Sequence, residues 1–338
     1  MAVRAFITGL AGLTISAAER AFFREAQPWG LILFKRNIDT PAQVTDLVSA
    51  FRDIAGYHAP VLVDQEGGRV QRLGPPHWPA YPAGERYSRL YDRDRSMALA
   101  AARLGARLIA ADLRALGIDV DCMPLADVPA PGSDAVIGDR AYGTEPDKVA
   151  AIAGAIADAL LDSGVLPVLK HLPGHGRATA DSHLRLPVVE AGRDTLERTD
   201  FAAFRPLAGL PLGMTAHVVF SAIDPVAPAT TSVTIVQQVI RGSIGFRGVL
   251  MSDDISMGAL SGSLAERSRA AISAGCDVVL HCNGKLAEMQ DVAAAVPVLA
   301  GEAAARADAA LALRKAPEEF DIASARNMFA NMMGTASA

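Results

Sequence analysis

Short runs of aliphatic and β-branched residues recur along the chain, separated by longer stretches in which apolar positions return every three to four residues. The short runs are AFITG, GLILF, PVLVD, DVDCMPL, VLPVLK, LGMTAHVV, GVLMS and CDVVLHC. Their length and composition predict parallel strands that are apolar on both faces. The longer stretches, among them TPAQVTDLVSAFRDIA, EPDKVAAIAGAIADALLDSG and SLAERSRAAISAG, carry the period of amphipathic helices. Thr40 and Ser263 stand where helix N-caps are needed, and Gly164 and Gly275 where helices must stop. No Asn-Gly or Asp-Gly joins two runs as a tight hairpin, which argues against an antiparallel meander. About eight strands alternating with helices predict an α/β fold, a single (β/α)8 TIM-type barrel over residues 1–315, with 316–338 as a C-terminal helix or frayed tail. An open doubly wound sheet competes, but TGLAGLT after the first run fits a glycine-rich phosphate turn poorly.

Composition narrows the function classes. The 338 residues are 51% hydrophobic and 20% charged, enough to fill a large core and far from the range of disordered chains. The net charge of −5, with no block of Lys or Arg, offers no footprint for nucleic acid or an anionic membrane surface. The most hydrophobic helical stretch, MALAAARLGARLIAADLRALG, is interrupted by Arg103, Arg107, Asp112 and Arg114, so no membrane span is expected. The opening residues lack the long apolar region and cleavage site of a signal peptide. Cys122, Cys276 and Cys282 are too scattered for a disulfide framework and read as buried thiols in a reducing compartment. A monomer located in the cytoplasm is the expectation.

In barrels of this type chemistry gathers where strands end. Polar residues follow most of the apolar runs: Asp64, Asp127, Lys170 with His171, His217, Asp253 and His281. Any one of them has a plainer role as a cap or loop hydrogen bond; their joint occurrence is harder to explain that way. The segment KHLPGHGRATADSHLRLP holds His171, His175 and His183, and its Pro-Gly excludes a helical zinc pair. A metal site made from those histidines and a strand-end Asp stays as an alternative. Asp181 and His183 lie two apart, so in an extended loop the carboxylate shares a face with the imidazole, orients it and stabilises its charged form. Asp253 and Asp254 close GVLMSDD, and either could be a nucleophile or a cap. VDQEGGRVQRLG adds Asp64, Gly67-Gly68, Arg69 and Arg72, where a carboxylate beside a guanidinium suits the hydroxyls of a sugar.

Taken together, GLILFKRN, VDQEGGRVQRL, IGDRAYG, KHLPGHGRATADSH and GVLMSDDISMGAL resemble the bacterial β-N-acetylglucosaminidases of glycoside hydrolase family 3, the cytoplasmic type that recycles peptidoglycan fragments. The resemblance spans most of the barrel. It implies Asp253 as the nucleophile of a covalent glycosyl-enzyme, His183 as general acid/base with Asp181 as its partner, and Asp64, Arg72, Arg140, Lys170 and His171 as the residues that bind the terminal N-acetylglucosamine. The implied reaction is exo-acting, retaining release of GlcNAc from fragments such as GlcNAc-1,6-anhydro-MurNAc, with or without peptide, and with no metal or organic cofactor. His217 and His281 lie outside the motifs, and Leu172 stands where an aromatic residue is more usual. A histidine acid/base makes the usual spacing rule for two carboxyl groups inapplicable and leaves phosphorolysis as an alternative to hydrolysis. A glucosidase-like specificity and a non-catalytic sugar-binding barrel are the remaining alternatives.

Overall fold

Arg4–Thr8 (β1) and Val278–His281 (β8) pair in parallel, Phe6 opposite Val279 and Thr8 opposite His281, and this pairing closes a barrel. In the computed structural model, which describes residues 2–316 and 320–334, the strands between them are Pro28–Leu33 (β2), Val61–Val63 (β3), Val120–Asp121 (β4), Leu166–Leu172 (β5), Leu212–Thr215 (β6) and Val249–Asp254 (β7). Each overlaps one of the eight apolar runs, several extending a residue or two past its ends, neighbours follow chain order, and every pairing is parallel. The TIM-type expectation therefore holds and the open sheet is excluded.

Alternate residues explain why the runs are apolar throughout. Ile7, Leu62, Val120, Leu166, Val168, Val249, Met251, Val278 and Leu280 fill the barrel interior. Their neighbours Phe6, Val61, Val63, Leu169, Leu250 and Val279 face outward into the layer shared with the helices. A strand buried on both faces has no polar register to keep.

The helices are Ala17–Ala26 (α1), Pro41–Ala55 (α2), Gly84–Arg93 (α3), Arg95–Arg114 (α4), Pro146–Asp162 (α5), Arg193–Arg198 (α6), Asp200–Phe204 (α7), Leu264–Ala274 (α8), Leu286–Ala295 (α9), Gly301–Ala312 (α10) and Ile322–Met332 (α11). Between β6 and β7 the chain winds as a wider π-helix over Ile235–Ser243. The Thr40 hydroxyl accepts the Gln43 N–H, and Ser263 caps α8 in a reciprocal box with Glu266. Gly275 takes the left-handed conformation that ends α8, and Gly164 has positive φ one residue beyond the cap of α5. No helix among the described residues is long and apolar enough to cross a membrane.

One feature was not anticipated and two expectations need correction. A small antiparallel hairpin pairs Gln65–Gly67 with Val70–Gln71 directly after β3, although the sequence has no Asn-Gly or Asp-Gly there. Gly68 and Arg69 make its turn after Gly67, which pairs with Val70; Gly67 and Gly68 both have positive φ, and a Cβ on Gly67 would overlap the Pro82 carbonyl. Strand β4 ends at Asp121, so Asp127 stands on the loop above it rather than at the strand end. The C-terminal helix is docked, not frayed: Phe329 of α11 lies against Tyr81 and Tyr87, and Arg326 donates to Asp112 of α4 at 2.7 Å. Residues 317–319 and 335–338 of the anticipated tail lie outside the described residues.

Candidate active site

The C-terminal ends of the strands surround a cavity of about 490 Å³. Its walls include Asp64, Arg72, Arg140, Lys170, His171, Asp181, His183 and Asp253, all eight site residues named from the sequence. They come from segments spread over nearly 190 positions, and closure of the barrel brings them together.

The deepest part is an ionic network. Lys170, 2% exposed, reaches from β5 and donates to Asp64 Oδ1 at 3.1 Å and Glu66 Oε1 at 2.6 Å. Arg140 holds Glu66 in a fork, Nε to Oε2 at 2.8 Å and a terminal nitrogen to Oε1 at 2.7 Å. Arg72 donates to Asp64 Oδ2 at 2.7 Å, while its Nε is buried without a protein acceptor among the described residues. Burial opposes charge on Lys170, but Glu66 and Asp64 outweigh it and raise its pKa. Burial likewise works to raise Asp64 and Glu66, and the cations beside them hold both below the ordinary carboxylate range. Each ion is thus kept charged by its neighbours, the condition under which buried charges persist. Arg69, paired with Asp64 and Arg72 in the sequence reading, instead donates to Asp139 and to the carbonyls of Ala135, Val136 and Ile137.

Asp127 organises the loop after β5. Its Oδ2 lies 2.7 Å from His171 Nδ1, and its Oδ1 accepts the His175 N–H at 2.6 Å. Burial works to raise Asp127, and the two histidines override it so that the carboxylate stays ionised. His175 turns away from the cavity, with Nε2 3.0 Å from Ser182 Oγ and Nδ1 buried without a partner among the described residues. Gly176 packs so tightly on Val128 that a Cβ would overlap its backbone. His171, His175 and His183 each have a separate partner, and among the described residues no group of three or more His, Cys, Asp or Glu is arranged to hold a metal ion.

At the mouth, Asp181 Oδ1 accepts both the backbone N–H of His183 at 2.9 Å and the ring Nδ1–H at 2.7 Å. The segment is a turn, not the extended loop anticipated, closed by Leu184 N–H to Asp181 O. That is what an Asp-initiated turn supplies: one carboxylate oxygen satisfies the backbone and aims the ring. The small burial of Asp181 works to raise it, and the two bonds from His183 pull it below the ordinary range. The His183 side chain is 64% exposed.

Asp253 and Asp254 separate clearly. Asp254 Oδ1 accepts the N–H groups of Ser256 and Cys282, at 3.0 and 3.2 Å, and Oδ2 accepts the Ser256 hydroxyl at 2.7 Å. Asp253 accepts one hydrogen bond, Asp254 N–H to Oδ1 at 2.7 Å, and no protein group among the described residues occupies Oδ2. Burial works to raise Asp253, and His217, His171 and the Asp254 N–H hold it ionised. Asp254 caps a local turn rather than the next helix, whose cap is Ser263.

The sequence reading missed Glu66, which does not line the cavity yet ties Lys170 to Arg140. Its signal was there, three residues after a strand end, but nothing local marks which carboxylate a distant lysine will choose. Asp127 was noted without its role of holding His171. Cys282, expected to be buried, is half-buried and lines the cavity.

The family model described as "Glycosyl hydrolase family 3 N terminal domain" matches residues 4–312. The β-hexosaminidase of Alkalilimnicola ehrlichii is 41% identical over 81% of this chain and 79% of its own, and that of Aromatoleum aromaticum 37% identical over 92% and 87%. Among solved structures, NagZ from Neisseria gonorrhoeae in complex with N-trifluoroacetyl-D-glucosamine superposes with a TM-score of 0.85 at 30% identity, covering 99% of both chains. A family 3 β-N-acetylglucosaminidase from Paenibacillus gives 0.82 at 30% identity; it is longer, and this chain spans 62% of it.

Proposed function

Since the chain belongs to glycosyl hydrolase family 3 as a β-hexosaminidase, we propose that it is an exo-acting, retaining β-N-acetylglucosaminidase. In this reading it removes the terminal GlcNAc from peptidoglycan fragments such as GlcNAc-1,6-anhydro-MurNAc, with or without peptide, in the cytoplasm and as a monomer, with residues 1–315 as the catalytic unit. The observation that carries the mechanism is that Asp253, with one free carboxylate oxygen, and the Asp181–His183 pair line the same cavity as a fixed set of hydroxyl-binding ions. The complex of the Neisseria relative with a GlcNAc analogue supports the sugar class.

Asp253 Oδ2 attacks the anomeric carbon while protonated His183 gives its proton to the departing oxygen, so the C–O bond to the aglycone breaks as the ester to Asp253 forms. Asp181, ionised, stabilises the imidazolium and holds Nδ1, which leaves Nε2 as the nitrogen that transfers the proton. Neutral His183 then takes a proton from water as the water oxygen attacks the anomeric carbon from the face the aglycone left, and the bond from that carbon to Asp253 breaks, which returns the free carboxylate and a protonated His183. Asp64, Arg72, Arg140 and Lys170 present donors and acceptors already charged and, with the oriented ring of His171, already fixed, so ordering them costs little when sugar binds.

The test is turnover of 4-nitrophenyl N-acetyl-β-glucosaminide and of the β-glucoside by wild type, Asp253→Ala and His183→Ala, with EDTA in parallel and the product anomer read by NMR. Preference for the acetamido sugar, β-configured product, loss in both variants and indifference to EDTA are expected. Preference for the glucoside, an α-configured product, or near-full activity of Asp253→Ala would overturn the reading.

A further inference from the structure

His217 has entered so far only through its electrostatic effect on Asp253. It follows β6, is fully buried, and does not line the cavity. A buried ring is costly unless its nitrogens are bonded, and both are: Nε2 lies 3.0 Å from the Asp254 carbonyl oxygen and Nδ1 2.7 Å from Thr230 Oγ1. A carbonyl only accepts, so Nε2 carries the proton. Burial holds the ring below the ordinary histidine range against the pull of Asp253 and Asp254. In the neutral ring Nδ1 accepts, and the Thr230 hydroxyl donates to it. Thr230 receives in turn the hydroxyl proton of Thr215, 2.8 Å away. The Ala216 carbonyl, at 3.1 Å from Thr230 Oγ1, is the longer of the two acceptor contacts of that hydroxyl.

Thr215, Thr230 and His217 are all buried. Their donors point one way, from the end of β6 through the 229–231 turn to the carbonyl of Asp254 on β7, an alignment in which each bond polarises the next. Asp254 is also the residue whose N–H orients the Asp253 carboxylate, and whose side chain is tied to Ser256 and Cys282. Among the described residues the Asp254 carbonyl accepts the backbone N–H of Met257 at 3.1 Å, and His217 Nε2 is its one side-chain donor.

We propose that His217 is a positioning residue for the nucleophile: by fixing the Asp254 carbonyl it fixes the residue that aims Asp253 Oδ2 at the anomeric carbon. This rests on the reading of Asp253 as nucleophile. The ring touches neither substrate nor reacting atoms, and its effect passes through Asp254. Misplacing a nucleophile by a fraction of an ångström lowers the rate of bond formation far more than it weakens sugar binding.

The experiment compares His217→Phe, His217→Gln and Thr230→Val with wild type in kcat/KM for 4-nitrophenyl N-acetyl-β-glucosaminide and in the inhibition constant of free N-acetylglucosamine, with thermal unfolding recorded for each. His217→Phe and Thr230→Val are expected to lose about tenfold or more in kcat/KM while the inhibition constant stays within about twofold. His217→Gln, whose amide can place an N–H near the former Nε2, is expected to recover most of the loss. A folded His217→Phe or Thr230→Val with wild-type kcat/KM, an inhibition constant that worsens in parallel, or a Gln variant as slow as Phe would overturn the proposal. Thr230→Val keeps the test open if the Phe variant does not fold. Failure of the functional reading is distinguishable, because it appears in the wild type as absent turnover or absent inhibition by the sugar.

Discussion

One carboxylate, Asp127, fixes His171: Oδ2 lies 2.7 Å from the ring Nδ1 and Oδ1 3.3 Å from the His171 backbone nitrogen. The ring is thereby oriented with Nε2 free, and the same carboxylate holds the start of the loop that carries Asp181 and His183 through the N–H of His175. Asp127→Asn keeps the volume but places an amide where one of these donors needs an acceptor. We expect kcat/KM to fall roughly 10–100-fold, equivalent to about 1–3 kcal/mol for an unsatisfied buried donor. A fall of less than about twofold in steady-state assays would contradict the role.

Azide separates the paired aspartates. With Asp253→Ala the vacated space lets azide attack from the nucleophile's face, so a loss of roughly three orders of magnitude is partly rescued, giving an α-glycosyl azide. Asp254→Ala loses the turn to Ser256 and Cys282, costs about 10–100-fold through geometry, and is not rescued. Recovery of Asp254→Ala by azide, read by NMR of the product, would reverse the two assignments.

Glu66 is 4% exposed at its side chain and holds both Lys170 and Arg140. Glu66→Ala leaves two buried cations short of a partner, and breaking such a network costs about 3–5 kcal/mol. Denaturant unfolding is expected to show that loss, and KM to rise because the two cations would no longer be fixed. An unchanged midpoint would show that water fully replaces the carboxylate.

Stability is expected to fall with acid in two stages. Burial, with His171 adding to it, pushes the His175 ring down to about 4 from an ordinary 6.5. Below 6.5 the unfolded chain therefore takes up a proton that the native state refuses, so stability is full above that pH and declines to a plateau near 4, by on the order of 3 kcal/mol. His217 and His281 are lowered too and act in the same direction. The depressed carboxylates Glu66, Asp127 and Asp253 contribute stability above the ordinary carboxylate range and lose it as pH falls through their lower native values. Melting temperatures between pH 8 and 4 should show the first stage in wild type and a shallower one in His175→Gln; identical slopes would remove His175 as its source.

Much of this molecule was determined locally. The eight apolar runs fixed strand number and order, because a strand buried on both faces must be apolar at every position and parallel neighbours need a helix between them. Asp181 and His183 also meet through local geometry, since a turn two residues long brings one carboxylate to both the N–H and the ring. The hairpin after β3 was equally local but escaped notice, because its turn uses Gly-Arg in place of the usual dipeptides.

Other relationships exist only once the barrel has closed. Arg140 and Glu66 are 74 residues apart, Lys170 and Asp64 106, and Asp127 and His171 44; no periodicity or spacing selects such partners. The choice between Asp253 and Asp254 likewise turned on the N–H of Cys282, delivered by the next strand. The packing of Phe329 was decided by Tyr81, Tyr87 of α3 and Gly105 of α4, distant residues that the tail's own sequence does not describe. The sequence by itself determined which chemical groups reach the top of the barrel. Tertiary structure decided which remain free to react, because a carboxylate or imidazole is available only when no distant donor or acceptor has already satisfied it.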